Sequence, residues 1–243
     1  MTMTETPVLN RKWLSTLSKT SDDHQDESSL VIPSYDPSQL SAGILHVGVG
    51  NFHPSHLAAY MNDLFQDPTL REQNQHWGIC GAGLLSFDAD KRQLLESQDW
   101  LQTLVERDGT SSKATILASM VDFLPVGGTH QALQDKLSHD TGIKIVSLTV
   151  TEGGYFLDNG AFQVQHPQIQ HDIAHPDQPA QTIFGMLVKA LRYRRDHDLP
   201  AFTVLSCDNI PHNGHVAKSV VMGVARAQAD SESLVEWIEG HVS

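Results

Sequence analysis

Two glycines one residue apart stand where an apolar run gives way to a polar, helix-starting segment, in the order Gly43, Ile44, Leu45, His46, Val47, Gly48, Val49, Gly50, Asn51, Phe52, His53, Pro54, Ser55, His56. Residues of these types in this order can hold a pyrophosphate. Gly48 permits a tight turn after a strand, and Gly50 leaves room for the backbone to approach a phosphate. The helix that follows presents unpaired N–H groups and the positive end of its dipole. His53 occupies the place of the third glycine of the common dinucleotide fingerprint. By itself, then, the pattern is met more often as an ordinary strand-to-helix turn.

A second glycine set, Gly78, Gly81 and Gly83, lies within or at the end of another apolar strand. Small residues there serve close packing, or the passage of a cofactor over the sheet, better than they serve a phosphate loop. Asp88 follows at that strand's end. A carboxylate in this place accepts hydrogen bonds from the adenosine ribose hydroxyls and repels a 2′-phosphate, which favours NAD over NADP. The alternative is a helix N-cap for the segment from Ala89 onward, and one carboxylate can serve both roles.

Fourteen histidines raise the question of a metal. His53 and His56 form an H-x-x-H pair, and His166, His171 and His175 cluster in a proline-punctuated stretch. No Cys-x-x-Cys or His-Glu-x-x-His pattern accompanies them, so no metal site is expected. Cys207, with Asp208, Asn209 and His212 close by, could serve as a nucleophile; the plainer reading is a small hydrophobe at a strand end.

The chain has 243 residues, 40% of them hydrophobic, enough for one large α/β domain or two small ones. A net charge of −13 speaks against nonspecific binding of nucleic acid or anionic membrane. An anionic cofactor would have to be held by backbone N–H groups and local positive charge. The two cysteines, Cys80 and Cys207, supply neither a disulfide framework nor a four-cysteine zinc site, which fits a reducing cytoplasm. No apolar run reaches membrane-spanning length, and residues 1–11 lack a secretory pattern.

These side chains need elements to position them. Residues 20–29 (TSDDHQDESS) are too polar to pack and read as a connector, so an N-terminal extension is expected over 1–30 and a cofactor domain over 31–243. Strands are expected at 44–47, 77–85, 100–106, 114–121, 144–151 and 202–206, and helices at 89–97, 129–137, 180–196, 215–229 and 233–240. After the glycine turn, Pro54 suits a first helical turn, and Leu57, Ala58, Tyr60, Met61, Leu64 and Phe65 mark a buried stripe. Arg192, Arg194 and Arg195 end the helix at 180–196, where they complement its dipole. Regular alternation of strand and helix implies an α/β, Rossmann-like, doubly wound and mainly parallel sheet. Ligands then sit beyond the carboxyl ends of the strands, after Val47, Val150 and Leu205.

Five segments carry a resemblance to a known family: ILHVGVGNFHPSH at 44–56, WGICGAGLL at 77–85, VSLTVTEGGY at 146–155, HPQIQHDIAHP at 166–176 and FTVLSCDNIPHNG at 202–214. In order and spacing they are similar to the mannitol dehydrogenase family of long-chain polyol-specific dehydrogenases and reductases. The resemblance implies a two-domain enzyme that transfers a hydride between NAD and a secondary alcohol carbon of a polyol or ketose, without zinc. The expected pair is D-mannitol and D-fructose; arabinitol dehydrogenase, the fructuronate and tagaturonate reductases and a non-catalytic nucleotide-binding remnant are the alternatives. It implies further that residues 44–55 bind the cofactor, that Asp88 sets cofactor choice and that Asn209 stabilises the reacting oxygen. An amide N–H donor suits that task, since it meets a developing alkoxide without a charge of its own. Turn formation and capping are the plainer role of Asp208 and Asn209. Two departures stand out. Where the family commonly reads F-H-R-A-H this chain has Phe52-His53-Pro54-Ser55-His56, so an arginine is missing. The chain also stops before the family's helical domain, which carries the catalytic lysine. A fragment is therefore expected, inactive alone and incomplete at the C-terminal end of its cofactor domain.

Overall fold

The computed structural model describes residues 8–17, 28–158, 160–229 and 231–243. In chain order the elements are α1 (Arg11–Leu17), β1 (Ser28–Val31), β2 (Ala42–Val47), α2 (Phe52–Ser55), α3 (Leu57–Gln66), α4 (Pro68–Asn74), β3 (Gly78–Ala82), α5 (Asp88–Ser97), β4 (Gln102–Arg107), β5 (Ser112–Leu117), β6 (Met120–Phe123), α6 (Gln131–His139), β7 (Ile145–Leu148), β8 (Leu157–Asp158), β9 (Ala161–Phe162), α7 (Pro167–Ala174), α8 (Ile183–Asp196), β10 (Thr203–Ser206), α9 (Asn213–Ala227) and α10 (Glu232–His241).

The central sheet is parallel, in the order β10-β7-β2-β3-β6. Its inner strands read as near-continuous apolar runs because helices cover both faces: all five residues of β3 are buried, as are all but the first of β2 and of β7. Register is set by the pairs Ile44 with Ile145 and Val47 with Leu148 on one side of β7, and Thr203 with Ile145 and Ser206 with Leu148 on the other. Sheet order runs outward in both directions from β2 and β7. That reversal makes a Rossmann-like fold, in which the switch point at the carboxyl ends of these two strands is the usual place for a ligand.

By contacts the chain forms two compact units, one of residues 1–42, 50–80 and 89–123 and the other of residues 43–49, 81–88 and 124–243. In the first unit β5 pairs β1 in parallel and β4 antiparallel. Its core gathers Tyr35, Leu40, Phe65, Leu101, Ile116 and Ala118, with Leu9 and Leu14 packed against it. Asn62 is fully buried at that core and accepts from the Tyr35 hydroxyl (2.8 Å) and the Ala118 N–H (3.1 Å). Tyr60, expected on the buried stripe of α3, is instead 65% exposed, and this polar residue two positions on takes the inner place. The strand expected over 114–121 is two strands, β5 and β6, which belong to different sheets. Between them the buried Ser119 hydroxyl donates to the Ala58 carbonyl (2.8 Å). β1 reaches back to Ser28, so Ser28, Ser29 and Leu30 of the expected extension lie in a strand; residues 18–27 fall outside the described residues.

In the second unit α8 is buried almost all round. Thr182 caps it by accepting the Gly185 N–H (2.9 Å), and the buried Asp172 carboxylate accepts from the Thr182 N–H (3.0 Å) and hydroxyl (2.7 Å). A Cβ at Gly185 would meet that carboxylate, so the position has no room for a side chain. Arg194 corrects one expectation. Rather than complementing the dipole of its own helix from the surface, it is wholly buried, and its guanidinium donates to the carbonyls of Leu137 (2.8 Å), Asp140 (2.6 Å) and Pro200 (2.8 Å) above the Phe202 ring. Two of those carbonyls belong to the end of α6, so the arginine is a C-cap supplied by another helix. Arg194→Met keeps the stem but leaves three carbonyls without a donor. Urea unfolding should show a loss of ~3 kcal/mol or more, and Arg194→Lys should recover little of it because an ammonium lacks the planar fork.

Candidate active site

β2 delivers the chain to Gly48, whose φ of +94° is open to glycine and strained for any other residue. A Cβ there would also strike the Thr149 carbonyl oxygen. The turn is fastened on both sides: the Gly48 N–H donates to the Ala82 carbonyl (2.9 Å) at the end of β3, and its carbonyl accepts from the Thr149 hydroxyl (2.6 Å) beyond the end of β7. Thr149 also donates its N–H to the Val47 carbonyl (2.9 Å). Ile44, Leu45, His46, Val47 and Val49 have buried side chains, so they build the core beneath the turn. Gly50, Asn51, Phe52 and Ser55 are exposed, Gly48 and Pro54 half-buried and His53 buried. The residues exposed directly after the turn are thus Gly50, Asn51 and Phe52.

The helix expected to run on from this turn is broken. α2 is a single turn; His56 leaves it at φ −129°, ψ −94°, and α3 begins at Leu57. The cause is competition for the Phe52 carbonyl, which would otherwise accept the His56 N–H. The Ser55 hydroxyl donates to that oxygen (3.0 Å), His56 Nδ1 lies 3.2 Å from it, and the His56 N–H turns to the His53 carbonyl (3.3 Å). Pro54 sits within this first turn, where its missing N–H costs nothing.

Beyond β7 and β10 the chain is organised by a residue that spacing alone does not single out. Asp208 accepts the Val150 N–H (3.1 Å) and the Tyr155 hydroxyl (2.8 Å) on Oδ2, and the Thr151 N–H (2.9 Å) on Oδ1. Tyr155, fully buried, lies 2.6 Å by its hydroxyl from the Ser206 hydroxyl, and burial pushes its pKa far above the phenol range. Thr151 is held at φ +62°, ψ 168°, a costly conformation for a β-branched residue. Asn213 closes the loop by donating its amide to the carbonyls of Ser206 (3.1 Å) and Asp208 (3.0 Å). Asn209 is left exposed, and its side-chain amide has no hydrogen-bond partner among the described residues. Thr149, Val150 and Thr151 thereby link the glycine turn to the loop carrying Asn209.

Asp88 is the first residue of α5, and its carboxylate serves neither cap position of that helix. Oδ2 accepts the N–H groups of Leu84 (2.9 Å) and Leu85 (2.8 Å), which pins the loop after β3. Oδ1 has no hydrogen-bond partner among the described residues. Close packing explains Gly83, where a Cβ would run into the Asp88 side chain.

The rival chemistries fare as follows. Burial, and then the charge of Asp208, raise the Cys207 thiol pKa, so it is a poor thiolate. His56 stacks on Phe52 with ring centroids 3.7 Å apart, and His171 and His175 lie 5.2 Å apart beside the buried Asp172. Among the described residues no group of three or more His, Cys, Asp or Glu side chains is placed to hold a metal ion.

His46 gives the site a pH signature. Its ring is bracketed by the hydroxyls of Ser147 (2.8 Å) and Thr149 (3.1 Å), and burial pulls its pKa down to about 4. Because the imidazole in the unfolded chain titrates at its ordinary value of 6.5, the unfolded chain takes up a proton first as pH falls. The stabilisation from keeping His46 neutral is full above pH 6.5 and is lost as pH falls towards 4, a change of about 3 kcal/mol. Urea midpoints measured between pH 7 and pH 4 should drop more steeply for the native chain than for His46→Asn, and equal slopes would assign the pH dependence to other groups.

With this geometry established, comparison with known proteins places the chain. The family model described as the mannitol dehydrogenase Rossmann domain matches residues 42–243. The chain is 47% identical over 216 residues to mannitol 2-dehydrogenase of Cereibacter sphaeroides, covering 88% of this chain and 44% of that protein. A ternary complex of Pseudomonas fluorescens mannitol 2-dehydrogenase with NAD and D-mannitol superposes with a TM-score of 0.81 at 41% identity, over 97% of this chain and 45% of the other. D-sorbitol dehydrogenase in substrate-free form gives a TM-score of 0.83 at 32% identity, over 98% and 46% of the two chains. The chain spans less than half the length of these relatives. From residue 42 to its last residue it matches the Rossmann-domain model of that family, and it belongs to the mannitol dehydrogenase family.

Proposed function

We propose that this chain is the cofactor-binding part of a zinc-independent, NAD-dependent polyol dehydrogenase that interconverts D-mannitol and D-fructose by hydride transfer, acting in the cytoplasm. Its activity belongs to a longer protein that adds the catalytic base. The reading rests on one arrangement: the glycine turn after β2 is joined through Thr149, Val150 and Thr151 to the loop that exposes Asn209. The ternary complex of the Pseudomonas relative with NAD and D-mannitol supplies the substrates for the proposal.

NAD, when bound, supplies the hydride acceptor. This chain's residues supply the rest that is present. A net charge of −13 leaves the pyrophosphate to the backbone N–H groups of the glycine turn, where Gly50 is exposed and leaves it room. The carboxylate of Asp88 pins its loop through one oxygen and turns the other to a ribose hydroxyl. Asn209 donates its amide N–H to the oxygen that becomes an alkoxide, held in place by the neighbouring Asp208. The hydroxyl proton needs a base from outside this chain, since general-base assistance is typically worth about 10²–10⁴-fold.

Titration of NADH fluorescence tests the cofactor site directly. The chain should bind NADH more tightly than NADPH, and Gly50→Val should weaken NADH by at least about tenfold with an unchanged circular dichroism spectrum. Asp88→Asn keeps an acceptor for Leu84 and Leu85 while removing the charge, and should narrow the NADH preference by roughly one to two decades. An unchanged ratio would leave Asp88 as a loop staple only.

Turnover tests the substrate. In a longer protein carrying the family's helical domain, Asn209→Ala should lower fructose reduction by roughly 10²–10³-fold and leave NADH binding intact, whereas residues 1–243 alone should be silent. A panel of D-fructose, fructuronate, tagaturonate and arabinitol, run with and without a chelator, separates the sister activities and a zinc requirement.

A further inference from the structure

His171 lies in the last turn of α7, and His175, four positions on, is the residue that ends the helix. Residues four apart share a helix face, and the same spacing sets two histidines on one zinc ion in the His-Glu-x-x-His pattern. The end of α7 keeps that alignment, because the His175 N–H still donates to the His171 carbonyl (2.9 Å). The two rings have centroids 5.2 Å apart and planes inclined by 57°. An ion held by two imidazole nitrogens at about 2.0–2.1 Å, in near-tetrahedral geometry, puts the ring centres ~5 Å apart. These rings therefore stand at the separation of a chelating pair with no change of backbone. The pair is also held from behind. His171 Nδ1 is 3.2 Å from Oδ1 of Asp172, a buried carboxylate fixed in turn by the N–H groups of Gln181 (2.7 Å, on Oδ1) and Thr182 (3.0 Å, on Oδ2). A carboxylate in that place keeps the proton on Nδ1 and leaves the lone pair on Nε2, as it does behind metal-bound histidines. Neither His171 Nε2 nor the His175 ring has a hydrogen-bond partner among the described residues. His175 is exposed, and His171 lines a cleft of about 430 Å³ with Thr129, His130 and Gln181, so the pair is open to an ion from solvent.

We infer that His171 and His175 form an exchangeable site for a late divalent transition-metal ion, held by two imidazole nitrogens, completed by water and bound most tightly as copper(II). Among the described residues no third histidine, cysteine or carboxylate is placed to join them, which is why the site is exchangeable and not a resident metal centre. The choice of ion follows from the donors: affinity at nitrogen ligands rises along the first-row divalent series to copper and falls again at zinc. Binding has a structural consequence. The chelate closes over the end of α7, next to the Asp172 carboxylate that also accepts the hydroxyl of Thr182, the cap of α8 (2.7 Å). An ion that binds only the folded arrangement stabilises it by mass action. The inference does not rest on the function proposed above, and its readouts are metal affinity and local spectra, into which neither NAD binding nor turnover enters.

The test titrates copper(II) chloride, and separately zinc chloride, into the tag-free chain at neutral pH, followed by calorimetry and by amide NMR. Copper should bind more tightly than zinc, and substoichiometric copper should broaden the amide signals around His171 and His175 before any others. His175→Gln is an exposed change; it should weaken copper by at least about tenfold and remove that local broadening, with an unchanged circular dichroism spectrum, because a chelate gains its affinity from the second ligand. His171→Gln should do the same; should it fail to fold, His175→Gln alone decides. His215→Gln should leave both readouts as they are. Equal copper affinity in the native chain and in His175→Gln overturns the inference. So does broadening centred on His212 and His215, whose rings are 6.2 Å apart, or spread without preference over the histidines of the chain.

Discussion

The carboxylate of Asp208 is the interaction on which the carboxyl end of this sheet depends. It stands just past β10, yet both N–H groups it accepts belong to the loop after β7, and the hydroxyl it accepts comes from the buried Tyr155. Among the described residues its charge is met by hydrogen bonds and not by a cation, and hydrogen bonds to an ionised acceptor are roughly twice as strong as neutral ones. Without that pull Thr151 has no reason to stay at φ +62°. The residue two before it, Thr149, holds the carbonyl of Gly48. Four strand ends are thus coupled in sequence, from Asp208 after β10 through Thr149 after β7 to Gly48 after β2 and on to Ala82 of β3.

Two adjacent residues divide the work. Asp208 is consumed by structure, since both of its oxygens are engaged by protein donors. Asn209 is exposed and its side-chain amide is uncommitted among the described residues, which suits the ligand contact proposed for it. A carboxylate in the outer position would repel a developing alkoxide, and an amide in the inner position would present a weaker acceptor to three donors. The order acid-then-amide suits both demands.

Much of this was legible in the sequence, and the reason is locality. Alternating apolar runs and breaks mark β2, β3, β7 and β10 and the helices between them, because each element's pattern is set by its own burial. The Gly48 turn was legible for the same reason, as a left-handed residue after a strand leaves a glycine in the chain. What escaped depends on separation. The Asp208 to Thr151 bond spans 57 residues and the Arg194 to Leu137 bond also 57, and no periodicity encodes either pairing. The break at His56 escaped because it arises from side chains competing for one carbonyl, and the split between β5 and β6 because two strands of different sheets abut in one apolar stretch. Asp88 was found by place, but its pinning of the loop after β3 was not, since a cap and a loop staple leave the same residue in the same position.

Departures from local rules gather where the chemistry is proposed. Among the described residues, seven that are not glycine have positive φ. Asp99 and Trp100 follow α5 and Asp198 follows α8, where a left-handed residue is an ordinary way to end a helix. The other four, His130, Thr151, Phe156 and His212, all lie in segments that follow the carboxyl ends of β6, β7 and β10. Two of them, His130 and His212, stand at the starts of α6 and α9 and provide no side-chain cap. Such residues cost on the order of 1–3 kcal/mol each and persist only where surrounding structure over-determines them. Here the over-determination is visible for Thr151, in a buried tyrosine, a serine and a carboxylate that hold its loop. The elements away from these ends follow their local preferences. Stability supplied by the regular core, in the buried faces of β2, β7 and α8, is what permits the carboxyl ends of the strands to keep these costly loop conformations, where the ligand contact is proposed.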